Sequence, residues 1–334
     1  MVLKIFIYTL ILFGGSNIFG HTHQGLKDTS ATKILFLGNS FTGWNDMPVM
    51  LEELTKNSSH KIYVDKYLKY GGSLYELSQL DTVKNIINSL KWDYIILQGS
   101  PYRYAYPEEF NTTYPIMTAL EYFNEMIEEN NPHAEIILFM PWAYKDGKFW
   151  DEEEPDDYSQ MQLKIYKNII LMAKKLDNKI APVGWAWNKI VFIDEEIELF
   201  IRDLTHPTIE GSYLTACVIY VTIFNEELIA NPYISEISKN SAEFLQSVAS
   251  KTVFGELENW NLLTNISVDR LDSFTLNQNY PNPFNSQTII SFTLTESKLV
   301  KLEIFNCLGE KITSLIDYKM NKGLNSYIFD AINL

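Results

Sequence analysis

Cysteine is scarce in this chain: its 334 residues include two, Cys217 and Cys307. So few exclude a disulfide framework, and no Cys/His pattern with metal-ligand spacing occurs. Basic residues are outnumbered, with 27 Lys and Arg against 42 Asp and Glu, for a formal net charge of −15. That balance excludes the clustered phosphate-binding surface of a nucleic-acid binder and opposes docking on anionic lipid. Histidine is rare too, at five residues. Beyond the N-terminal segment no apolar run of about 18 residues appears, so no later membrane span is expected. No internal repeats stand out.

What is present is apolar and aromatic material, 46% and 14% of the residues. This suffices for one sizeable core in a main domain, with something smaller beside it. Residues 1–13 carry one Lys and then an apolar run, and residues 14–20 end in a small residue, Gly20. The pattern reads as a secretory signal peptide, residues 1–20, cleaved near Gly20, with an uncleaved N-terminal anchor as the alternative. No membrane insertion is expected after its removal. Cys217 lies in the apolar run 214–220 and reads as a small core residue.

From about residue 33 to 230, strand-like and helix-like segments alternate, which predicts a parallel sheet with helices on both faces. Strands are expected at 34–37, 61–70, 93–98, 135–140 and 179–183. Helices are expected after Asp46-Met-Pro48, over 74–90 with a break near Asp81-Thr82, over 114–129, from the acidic loop 151–157 to Leu176, and over 208–228. The acidic loop complements the dipole of the helix it precedes, and a calcium site there lacks a recognisable ligand spacing. A helix and then a polar connection follow from about 231. Beyond Asp272 the character changes to turn-rich text, 274–285, and short alternating strands at 288–293, 300–305 and 326–329. The domain reading is therefore an α/β domain at 31–250, a linker at 251–271 and a small all-β module at 272–334.

The first strand ends in Gly38-Asn39-Ser40. Loops beyond the carboxyl ends of strands are where open α/β sheets bind ligands, so Ser40 is a candidate nucleophile; equally, Gly, Asn and Ser are ordinary turn and cap residues. A Ser nucleophile needs a base, and imidazole suits neutral pH. His21 and His23 adjoin the cleavage point. His60 and His133 precede strands, on the opposite edge of a parallel sheet from Ser40. His206 stands in a loop before a helix, three residues after Asp203, and an Asp so placed can orient an imidazole and stabilise its charged form.

Ser40 together with Asp203-Leu-Thr-His206-Pro-Thr-x-x-Gly211 resembles the SGNH (GDSL-type) hydrolase superfamily over about residues 31–230. Gly38-Asn39-Ser40 departs from its first block, Gly-Asp-Ser, by Asn for Asp. The resemblance implies a flavodoxin-like three-layer α/β/α sandwich. It makes Ser40 the nucleophile, His206 the general base and Asp203 its orienter. It also places an oxyanion hole at the backbone N–H groups of Ser40 and Gly72. The family's third-block Asn, the remaining oxyanion donor, is absent: the third strand ends Gln98-Gly99-Ser100. Gln98 is the expected replacement, with Ser100 as the other candidate.

No cofactor is implied. The superfamily acts on esters, so the expected substrate is a small-molecule or carbohydrate ester, with acyl groups on sugars favoured. Acyl transfer by the same residues is an alternative, as is a non-catalytic carbohydrate-binding protein on a decayed scaffold. Residues 276–285, 288–292 and 300–309, with Gly323 and Asp330-Ala331, resemble the C-terminal sorting domain of the type IX secretion system. That implies transit through the periplasm, the secretion machinery as partner, and a destination outside the cell or on its surface. The family's usual final strand does not follow Asn333-Leu334, so either the sequence is truncated or the sorting signal is incomplete.

Overall fold

The computed structural model describes residues 30–110, 115–148, 155–191, 197–255, 260–261, 274–276, 279, 286–294, 297–305 and 311–331. The signal-peptide reading, His21, His23, residues 151–154 of the acidic loop, Cys307 and residues 332–334 lie outside them. The chain divides into two compact units, Met1–Leu262 and Leu263–Leu334. Among the described residues no helix is long and apolar enough to cross a membrane.

The first unit is built on five parallel strands, β1 (Thr32–Gly38), β2 (Ile62–Leu68), β3 (Tyr94–Gln98), β4 (Glu135–Phe139) and β5 (Lys179–Ala181). They lie in the order β2-β1-β3-β4-β5. Ile34, Leu35, Phe36 and Leu37 of β1 are all fully buried, as are Ile95, Ile96 and Leu97 of β3. A parallel strand covered on both faces needs such a continuous apolar run, and each large side chain so buried stabilises the fold by about 1.5–3 kcal/mol. The expected α/β class is what forms.

Eleven helices accompany these strands among the described residues: α1 (Ser40–Gly43), α2 (Met47–Thr55), α3 (Leu74–Ser78), α4 (Asp81–Ser89), α5 (Pro101–Ala105), α6 (Pro107–Phe110), α7 (Ile116–Asn130), α8 (Tyr158–Leu176), α9 (Val183–Val191), α10 (Ile209–Phe224) and α11 (Lys239–Gly255). The chain leaves β1 towards β2 and then reverses direction to reach β3, β4 and β5. Right-handed crossovers therefore put α2 on one face of the sheet and α4, α7 and α8 on the other. Packing agrees: α10 lies against α2, α9 and α11, and α7 against α3, α4 and α8. Every residue of α10 from Gly211 to Ile223, Cys217 included, is buried. Burial raises the Cys217 thiol pKa, as expected of an inert core residue. The reversal between β1 and β3 is the topological switch point of an order 2-1-3-4-5 sheet, and the carboxyl ends of the strands flanking such a point, here Gly38 and Gln98, are where open α/β sheets bind ligands.

Several boundaries differ from the sequence reading. The helix expected over 208–228 ends at Phe224, because Asn225 takes a left-handed cap (φ 51°). The linker expected from residue 251 begins inside α11. Trp260 is then fully buried, its indole N–H donating to the Thr252 carbonyl at 3.1 Å and its own carbonyl accepting from Ile180 at 2.9 Å. The first unit therefore extends past residue 250.

The second unit holds β6 (Phe274–Leu276), β7 (Gln287–Leu294), β8 (Lys298–Phe305), β9 (Lys311–Met320) and β10 (Gly323–Asp330). They form an antiparallel sheet β10-β7-β6 and an antiparallel pair β8-β9. Phe292, Leu294 and Ile316 make its buried cluster. The sequence reading missed β6 and β9. Pairing of β8 with β9 shifts register twice, so the apolar residues of β9 do not keep a two-residue period.

Candidate active site

Ser40 is the first residue of α1, directly beyond the carboxyl end of β1. Its backbone N–H has no acceptor within so short a helix start. The N-cap is Asn39, whose side-chain oxygen accepts from the Phe41 N–H at 3.1 Å. Asn39 Nδ2 donates in two other directions, to the Gly72 carbonyl at 3.0 Å and to Ser100 Oγ at 3.2 Å. One buried carboxamide thus joins the loops after β1, β2 and β3. An Asp here could not donate to a carbonyl, which gives the departure at this position a physical reason.

Gln98 lies beneath this loop, 1% exposed. Its Oε1 accepts from the Asn39 N–H at 2.8 Å and from Thr42 Oγ1 at 3.1 Å, and its Nε2 donates to the Gly99 carbonyl at 2.9 Å. The side chain therefore turns its oxygen towards the loop that carries Ser40 and ties that loop to the end of β3. A Cβ on Gly38 would sit 2.6 Å from Gln98 Oε1, so this contact requires glycine there. Gly72 is also committed: its N–H closes a turn onto the Lys69 carbonyl at 2.8 Å, with Gly71 at φ +72°. The two expected oxyanion donors other than Ser40 thus have other partners. Ser100 differs. It precedes α5 but makes no cap hydrogen bond with its side chain, and it is buried. Its Oγ accepts from Asn39, which leaves the hydroxyl proton without an acceptor among the described residues.

Ser40 Oγ lies 2.8 Å from His206 Nε2, and His206 Nδ1 lies 2.6 Å from Asp203 Oδ2. These three residues, picked out in the sequence, are brought together. The loop bearing the last two folds on itself: Asp203 Oδ1 accepts from the N–H groups of Thr205 and His206, each at 2.9 Å, around Leu204 at φ 60°. Burial pushes the Asp203 carboxyl pKa up, but these two N–H groups and the imidazole outweigh it, and the net shift is downward. His60 and His133 lie elsewhere, as expected from their places before strands. His60 pairs with Glu226 at 3.0 Å and stacks on Phe224.

Aromatic rings surround the imidazole, an arrangement that no local sequence pattern signals. Trp44 stacks on the His206 ring with centroids 4.3 Å apart and planes 20° apart, and Phe41 approaches it at 5.6 Å. Trp142 packs on Phe41 at 5.0 Å and donates its indole N–H to the Thr205 carbonyl at 2.9 Å. Trp44 and Trp142 are thus part of this wall. Tyr144 and Tyr102 continue it, and burial holds the Tyr144 hydroxyl far above its ordinary pKa. No group of three His, Cys, Asp or Glu side chains arranged for a metal occurs among the described residues.

A family model described as "Domain of unknown function (DUF4886)" matches residues 34–252, and a model of the secretion system C-terminal sorting domain matches residues 278–331. The second match indicates secretion or display at the cell surface. No curated protein matches the chain. Among solved structures, a DUF4886 family protein from Bacteroides uniformis is similar at 21% identity and a TM-score of 0.54, over 67% of this chain and 95% of that one. A candidate SGNH hydrolase from Slackia heliotrinireducens is similar at 23% identity and a TM-score of 0.48, over 58% and 99% of the two chains. A variant of Axe2, an acetyl xylan esterase from Geobacillus stearothermophilus, is similar at 16% identity and a TM-score of 0.42, over 58% and 95%.

Proposed function

This chain belongs to the DUF4886 family, and from that premise we propose that it is a secreted serine ester hydrolase working through an acyl-enzyme. The observation that carries the reading is the hydrogen-bonded line from Ser40 Oγ to His206 to Asp203, at 2.8 and 2.6 Å. In that line His206 Nε2 takes the Ser40 proton as Oγ attacks the ester carbonyl. Asp203, on the other nitrogen, fixes the tautomer and stabilises the imidazolium. Collapse of the tetrahedral species expels the alkoxide, which takes the proton back from Nε2, and leaves the acyl group on Ser40. Water, deprotonated by the same nitrogen, then releases the acid.

The oxyanion is held by the Ser40 N–H and the Ser100 hydroxyl. Asn39 Nδ2 supports the second donor: by occupying a lone pair of Ser100 Oγ it directs the proton elsewhere. The finer reading is a short acyl group, such as acetyl, on a carbohydrate alcohol. Trp44 and Tyr144, both partly exposed, offer the amphipathic faces that a sugar ring stacks on.

One feature favours a second reading, a non-catalytic binding protein on the same scaffold: Gln98 and the Gly72 N–H are both committed to other partners. Hydrolysis of p-nitrophenyl acetate separates the two. The serine-hydrolase reading expects turnover that Ser40→Ala lowers at least about 10,000-fold. It expects Ser100→Ala to lower kcat about 100- to 1,000-fold, the loss typical of one oxyanion donor. Turnover unchanged in Ser40→Ala, or no turnover by the wild type, overturns it.

A further inference from the structure

We infer that Asn45 is a positioning residue whose carboxamide ties the loop carrying His206 to the segment that continues from the Ser40 helix, and so sets the Ser40–His206 approach. The inference rests on Ser40 and His206 acting as nucleophile and base.

The turn Trp44–Asp46 joins α1 to α2, and two consecutive non-glycine residues in it are left-handed, Asn45 at φ 52° and Asp46 at φ 50°. Such a conformation persists where the surroundings over-determine it, and it often marks a functional constraint. Here the surroundings are the base loop. Asn45 Nδ2 points at two carbonyls there, those of Thr208 at 2.8 Å and Pro207 at 3.2 Å, and at Ser212 Oγ in the first turn of α10 at 3.0 Å. Ser212 returns the tie by donating to the Trp44 carbonyl at 3.3 Å. Pro207 and Thr208 directly follow His206, and Trp44, directly before Asn45, is the residue stacked on its ring.

Other bonds keep the base loop folded. Ile201 N–H donates to the His206 carbonyl and Thr208 N–H to the Leu199 carbonyl, each at 2.9 Å, and Lys145 N–H donates to the Leu204 carbonyl at 3.0 Å. These hold the loop to its own neighbours and not to the 44–46 turn. Asn45 is itself exposed, so water can satisfy the two carbonyls when its amide is removed. The consequence of removal therefore falls on the relative placement of two loops rather than on folding. Donors are what the position demands: an Asp of the same shape would set carboxylate oxygens against two carbonyls.

Asn45→Gly keeps the left-handed backbone and deletes only the amide. With p-nitrophenyl acetate, kcat is expected to fall about 10- to 100-fold, as for a displacement of roughly 1 Å, with KM within about twofold. Asn45→Asp is expected to lose at least as much. In a His206→Ala background the Asn45→Gly change should alter the residual rate by less than about twofold, because its partner in function is already gone. Three results overturn the inference: kcat within about threefold of wild type; KM rising while kcat holds, which would make Asn45 a contact for the ester; or the full loss repeated without His206. A wild type whose turnover survives both Ser40→Ala and His206→Ala refutes instead the assignment of nucleophile and base.

Discussion

The proposed nucleophile and base, Ser40 and His206, are held by opposite means. Ser40 is 8% exposed and rests on buried hydrogen bonds that come from other loops: Asn39 reaches Gly72 and Ser100, and Gln98 reaches Asn39 and Thr42. The side chains of His206 and Asp203 are 22% and 43% exposed, and their arrangement is mostly local, an Asp that binds the backbone and ring of the residue three positions later. Buried bonds between distant loops are costly to break, since the partners left behind find no water. Exposed bonds within one turn cost little to break but decide where one side chain points. The nucleophile side should therefore answer to mutation in stability as well as rate, and the base side in rate alone.

The sharpest contrast comes from Asp203→Asn. It removes the negative charge opposite the imidazolium and the acceptor that fixes its tautomer, and kcat should fall about 100- to 10,000-fold. Its melting temperature should stay close to wild type, because an exposed ion pair contributes little. Steady-state kinetics beside a thermal melt test this; a large loss of stability with little loss of rate would invert the comparison.

Gln98→Ala should behave the other way. It leaves the Asn39 N–H and the Thr42 hydroxyl buried without their acceptor, each at about 1–3 kcal/mol. Chemical denaturation should register a destabilisation of that order. If Gln98 were instead the oxyanion donor, its truncation would cost about 100- to 1,000-fold in kcat with little loss of stability.

These two residues also mark what the sequence made legible. The α/β class followed from alternating apolar runs, and the Ser40, Asp203 and His206 set from two short patterns, because in each the chemistry depends on residues close in the chain. Asp203 and His206 meet through one turn. Gln98 was noted as the residue at the right strand end, but not the direction in which its carboxamide turns. Which way a carboxamide faces depends on Asn39 and Thr42, almost 60 positions away, and no local pattern encodes that. Trp44 over His206 and Asn45 under the base loop were invisible for the same reason. In the second unit β9 escaped because two extra residues along it, Ile312 and Leu315, shift its pairing with β8 and break the alternation on which strand recognition relies.

The smallest effect concerns acid. The Asp203 carboxyl has its pKa lowered on folding, so it favours the folded state above its unfolded value, near 4, and that contribution disappears as pH falls through the lowered value. The small stability difference between wild type and Asp203→Asn should therefore shrink on acidification below about pH 4. Denaturation curves at a series of pH values would register it, and a difference that widens in acid would contradict the sign.

The central claim is that Ser40 is an activated nucleophile. It is tested most directly by treating the folded chain with a fluorophosphonate and mapping the adduct by peptide mass spectrometry. The account predicts one adduct per chain, on Ser40, absent in Ser40→Ala and formed far more slowly in His206→Ala. An adduct on another residue, or none at all while ester turnover persists, would contradict it.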